Sequence, residues 1–112
     1  MTKRIEKRLE KLSQHLAELY DQECHKQAEE VAEEIRELTY KHLGENHPDY
    51  ATALNDLAVL YTSMGKNIEA EKLHLKALHI RQTSRGENHP DCAESFHNLA
   101  HLYDSIGNYT KA

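Results

Sequence analysis

Residues 44–61 read GENHPDYATALNDLAVLY, and residues 86–103, 42 positions later, read GENHPDCAESFHNLAHLY. Six identities fall in the shared Gly-Glu-Asn-His-Pro-Asp start. Behind it Ala51, Leu57, Ala58, Leu60, Tyr61, Ser63, Gly65 and Ala70 return as Ala93, Leu99, Ala100, Leu102, Tyr103, Ser105, Gly107 and Ala112, eight more identities in the 27 positions from Gly44 to Ala70. Chance does not produce that density, so the chain is built from an internal repeat. A fainter copy lies upstream. Leu16, Ala17, Leu19 and Tyr20 match the second copy at an offset of 41, and Ala28 matches Ala70 at 42, which puts a one-residue deletion in the intervening turn. About two and a half units result: residues 3–43, 44–85 and a partial third over 86–112, together one domain across residues 1–112.

Within a unit the apolar spacing is helical. Leu54, Leu57, Ala58, Tyr61 and Met64 share one face, and Ile68, Leu73, Ala77 and Ile80 share another. Pro48 and Pro90 stand where a helix can begin, because the first-turn N–H lacks an intrahelical partner in any case. Asp49 and Asp91 follow with negative charge at the positive end of the helix dipole. His47 and His89 recur with this signature and are assigned to the turn and its cap. Gly65 and Gly107 stand where a helix ends on a residue tolerant of positive φ. The expectation is all-α: five helices near residues 3–21, 25–42, 48–64, 67–83 and 90–106, arranged as tandem antiparallel hairpins. Ala58, Ala70 and Ala77 occupy the close helix crossings, where larger side chains would pry the pairs apart.

The order Leu57, Ala58, Tyr61, Gly65, Ala70, Ala77 resembles the tetratricopeptide repeat, whose ordinary period is about 34 residues. The longer period and the two quoted phrases are similar to its kinesin light chain subclass. That resemblance implies a right-handed solenoid whose concave face, lined by the first helix of each unit, receives a peptide segment of a partner protein. The positions matching the groove are Thr52, Asn55, Asp56, Val59 and Thr62 in the second unit and Glu94, His97, Asn98, His101 and Asp104 in the third. Lys11, Gln14, Glu18 and Asp21 are the first-unit set. Asparagine and histidine both donate and accept, and so can satisfy the main chain of a peptide. Repeats that clamp a terminal carboxylate use Lys and Arg on these inner helices; the second and third units carry none there, and Asp56, Glu94 and Asp104 favour a neutral or basic partner.

Composition narrows the remaining classes. Mean hydropathy is −0.83 and 38% of residues are hydrophobic, which suits an extended stack in which every unit keeps a wet face. Fourteen Lys and Arg against nineteen Asp and Glu leave a net charge of −5, which disfavours nucleic acid. The basic start Lys3, Arg4, Lys7, Arg8, Lys11 is read as a solvated helix face, as is the acidic run Glu29, Glu30, Glu33, Glu34, Glu37. No stretch approaches the roughly 18 apolar residues of a membrane span, and Cys24 and Cys92 lack metal-ligand spacing, so a cytoplasmic protein without disulfides is expected.

Neither a phosphate-cradling loop nor a nucleophile motif is present, so neither an enzyme nor a cofactor is expected. His97 and His101 have an i, i+4 spacing that can chelate zinc, with Asp104 three residues on, yet no distant third ligand can be assigned and no metal site is expected. The partial third unit carries Phe96, Leu99, Leu102, Tyr103 and Ile106 on a helix whose hairpin partner would start near Ala112. This set is the expected self-association face, and a homodimer is the expected form.

Overall fold

The computed structural model describes residues 3–110, with side chains described through residue 107. Five helices follow one another: α1 (Lys3–Asp21), α2 (His25–Leu43), α3 (Pro48–Ser63), α4 (Asn67–Arg85) and α5 (Pro90–Thr110). No strand occurs among the described residues. Each helix packs chiefly on its neighbours in sequence, giving a slab of 50 × 34 × 19 Å, two helices thick. Its core is a row of small clusters. Leu19, Ala28, Ala32, Leu57 and Leu60 join units one and two, Tyr50, Ala51, Leu54, Ala77 and Ile80 close the second hairpin, and Leu78, Cys92 and Leu99 join α4 to α5. Ala58, Ala70 and Ala77 are fully buried at the crossings, as expected. Ile68 is not on the buried face to which its spacing assigned it: it is 70% exposed, because five residues put it roughly 140° around the helix from the inward Leu73.

The repeated signature caps helices through its histidines. Nδ1 of His47 accepts from the Asp49 N–H at 3.0 Å, and Nδ1 of His89 accepts from the Asp91 N–H at 3.0 Å. Each satisfies one of the orphan first-turn donors, the task usually given to Ser or Asp. At the other end of α3, Gly65 has φ +79° and the Lys66 N–H bonds to the Tyr61 carbonyl at 2.8 Å, closing the helix and starting the turn.

Two expectations about turns are corrected. The deletion in the first unit is not in its turn, which has three residues (22–24) like the second (64–66); instead α1 ends one residue after Tyr20, whereas α3 runs two beyond Tyr61. Glu23 takes φ +59° in the place of Gly65, and the Cys24 N–H closes the same kind of bond, to Leu19 at 2.9 Å. The third unit differs more. Gly107 does not end its helix, because α5 continues through it to Thr110. In the second unit α4 folds back on α3 beyond the positive-φ turn at Gly65, whereas α5 stays helical through Gly107. Ala112, the counterpart of Ala70, lies outside the described residues.

Candidate functional site

The first helices of the three units, α1, α3 and α5, border a line of connected hollows. Between α1 and α3 lies one of about 280 Å³, with Leu16, Ala17, Tyr20, Val59 and Leu60 as apolar walls and Ser13, Asp21 and Asp56 as polar lining. Ser13 and Asp56 are shared with a second hollow of about 210 Å³, which adds Asp49, Thr52 and Thr39. Tyr20 and Val59 are shared with a third, of about 110 Å³, which is completed by Thr62, Ser63, His74, Asn98 and His101. A shallower depression beside α1 takes in Glu6, Glu10, Gln14 and Asp49. Every charged side chain lining these four hollows, Glu6, Glu10, Asp21, Asp49 and Asp56, is acidic; no Lys or Arg among the described residues lines them.

The expected groove residues divide accordingly. Thr52, Asp56, Val59, Thr62, Asn98 and His101 line the hollows, with Gln14 and Asp21 from the first unit. His97 and Asp104 are exposed but line none of them, and Lys11 and Glu18 likewise stand outside. Asn55 is a correction. It is buried: its Nδ2 donates to Glu94 Oε1 at 3.3 Å and its Oδ1 accepts from Asn98 Nδ2 at 2.9 Å. It thus ties α3 to α5 instead of facing a ligand, and leaves the Asn98 carbonyl oxygen to the groove.

Beneath this pair lies Arg81 of α4, only 2% exposed. Its Nη1 donates to Ser95 Oγ at 2.9 Å and to the Asp91 carbonyl at 3.1 Å, and stands 3.1 Å from Glu94 Oε1; Nη2 lies 3.4 Å from Thr52 Oγ1. Sequence reasoning missed it, as it missed the buried His74 and Ser95. A signal existed, since Ala70, His74, Ala77 and Arg81 are spaced i, i+4, i+7 and i+11 along the buried stripe of α4. Burial and the neighbouring Arg81 both lower the His74 pKa.

Asp56 is the perturbed acid of the groove. Its carboxylate reaches solvent, but the surrounding concave wall removes much of its hydration, and Glu94 adds repulsion. Arg81 and a hydrogen bond from Asn55 oppose these effects without cancelling them, and the pKa is pushed up to about 6.

The self-association set is also corrected. Leu99 and Leu102 are buried against the chain itself, whereas Phe96 is 51% and Tyr103 46% exposed, and Ile106 is half-buried. Among the described residues no cluster of three or more His, Cys, Asp or Glu side chains is arranged to hold a metal ion. Nor is any described helix long and apolar enough to cross a membrane.

The tetratricopeptide repeat profile matches residues 8–82 and again 49–112, two registers 41 residues apart at their starts. The chain belongs to the tetratricopeptide repeat family. The repeats of this family are non-catalytic scaffolds that generally mediate protein–protein interaction. A similar solved structure is the kinesin light chain-like protein BtubC (BKLC) from P. vanneervenii, 30% identical, with a TM-score of 0.73 over 81% of this chain. The present chain spans 36% of that one's length. No match occurs among curated proteins.

Proposed function

We propose that this repeat protein is an adaptor that binds a neutral or basic peptide segment of a partner protein along the concave face. The observation that carries this reading is the run of hollows shared from α1 through α3 to α5, apolar in its walls and acidic in its charges. Apolar walls supply burial, while Asn98, Thr62 and His101 supply hydrogen bonds to a main chain. Asn55 and Arg81 hold α3, α4 and α5 in fixed relation, so the groove is in place before the peptide arrives. The free Cys24 and Cys92 suit a reducing, cytoplasmic setting. The test is selection of phage-displayed decapeptides on the full chain, followed by mapping of amide shifts in the 15N-labelled protein. Shifts gathered at Val59, Thr62, Asn98 and His101 are the expected result. Shifts confined to the outer faces of α2 and α4 would refute the groove.

A second reading, self-association into a homodimer, is favoured by a different observation. Phe96 is 51% exposed, whereas its counterpart Leu54 in the second unit is 1% exposed. On α4, which packs against α5, Ile68 is 70% and Leu75 45% exposed, and on α5 Tyr103 is 46% exposed. These large apolar side chains on α4 and α5 are open to a second copy of the chain. Sedimentation equilibrium is the check: a dimer that becomes a monomer on Phe96→Asp supports this reading, and a monomer at several hundred micromolar removes it.

A further inference from the structure

We propose that the hollow between α1 and α3 is a subsite for one lysine or arginine side chain of the bound peptide, an inference that rests on the groove reading above. Its shape matches such a side chain in two parts. Leu16, Ala17 and Val59 form an apolar wall on which a methylene stem can lie, and Asp21 and Asp56 place carboxylates around the same space. Tyr20 adds an aromatic ring to the lining, a second attraction for a cation.

Charge decides between a cationic and a merely apolar occupant. Among the described residues neither Asp21 nor Asp56 forms an ion pair. The nearby cation, Arg81, is engaged by Glu94 at 3.1 Å and by Ser95 at 2.9 Å. Asp56 is therefore held partly dehydrated with its charge under-compensated, a state that an arriving ammonium or guanidinium relieves. An acidic peptide would meet repulsion from Asp21, Asp49 and Asp56 together.

A proton competes with the ligand for the same carboxylate. The groups facing Asp56 are Asp21 from α1, Asp49 on its own helix, Arg81 from α4 and Glu94 from α5; α2 contributes only the uncharged Thr39. With the Asp56 pKa at about 6, the carboxylate is mostly ionised above neutrality and mostly protonated at pH 5. Affinity for the cationic side chain falls as pH falls through that window.

The probe is a fluorescein-labelled decapeptide selected by phage display on the full chain, read by anisotropy. Each Lys or Arg in turn is replaced by norleucine, which keeps the stem and removes the charge without touching the protein's folding. At one position norleucine weakens binding about tenfold or more. The same replacement is nearly silent against Asp56→Asn, whose fold is verified by circular dichroism, and Glu37→Gln on α2 behaves as wild type. Between pH 7.5 and 5.0 wild-type affinity drops roughly tenfold, while the affinity of Asp56→Asn stays flat. If norleucine equals lysine at every position while the peptide still shifts the Val59 and Asn98 amides, the subsite is wrong and the groove stands. If no selected peptide shifts those amides, both readings fall.

Discussion

Replacing Arg81 by alanine removes the tie between α4 and α5, and its cost follows from the partners that the guanidinium leaves behind. The side chain is 2% exposed, and its partner Ser95 is completely buried, so the serine hydroxyl would be left without its donor at a cost of about 1–3 kcal/mol. The Asp91 carbonyl loses a charged donor at 3.1 Å, and the vacated volume adds a cavity. Glu94 contributes less, about 1 kcal/mol at most, because its side chain is 57% exposed and water replaces the guanidinium. Against these costs stands the relief of a desolvated cation whose Nε has no partner among the described residues. The net expectation for Arg81→Ala is a destabilisation of about 3–4 kcal/mol, or on the order of 15–25 °C in Tm for a chain of this size. Arg81→Met fills the space without the charge and should cost only about 1–2 kcal/mol, with Ser95→Ala in that background recovering about 1 kcal/mol. Urea melts followed by circular dichroism at 222 nm measure all three. A destabilisation below about 1 kcal/mol for Arg81→Ala, or equal effects for Ala and Met, would refute the structural role assigned to this network.

Equivalent glycines should respond with opposite signs: Gly65→Ala destabilises by about 1 kcal/mol because φ is +79°, whereas Gly107→Ala, inside α5 with open space around its Cβ, stabilises by about 0.5–1 kcal/mol. Thermal melts that move the same way for both would overturn the account of α5. Ala58→Leu or Ala70→Leu should destabilise by about 1–3 kcal/mol through overpacking, against less than about 0.5 kcal/mol for exposed Glu37→Ala, and denaturant midpoints compare them. Asp56 titrates at about 6 when folded and near 3.8 when unfolded, so the folded state holds the extra proton and this group's contribution to stability falls as pH rises from about 4 to 6. Asp56→Asn should therefore gain up to about 1 kcal/mol at pH 7, discounted for solvent exposure, and nothing below pH 4; equal melts at both pH values would contradict the raised pKa.

The repeat, the helix starts and the groove-bearing helices are all legible in the sequence, because each depends on residues within a turn or two of one another. Pro48, Asp49 and the capping His47 specify a helix start wherever they occur, and the 3.6-residue spacing that buries Leu57 turns Val59, two positions on, to the other side of the helix. Tertiary packing alone decided the remainder. Asn55 and Asn98 occupy matching polar faces in sequence, but which of them meets solvent depends on how α5 lies against α3, a relation no local pattern encodes. Spacing places Arg81 on the buried stripe of α4, but the groups that hold its charge there, Ser95 and Glu94, come from the next unit. Leu99 and Leu102 read as an open face by spacing, yet α4 covers one side of their helix, a side that periodicity does not distinguish from the other. Gly65 and Gly107 are identical letters in matching contexts, yet one turns the chain and the other continues a helix. The positive-φ turn at the first is held by a helix folding back on the other side, and that packing energy lies outside the few residues that carry the local signal.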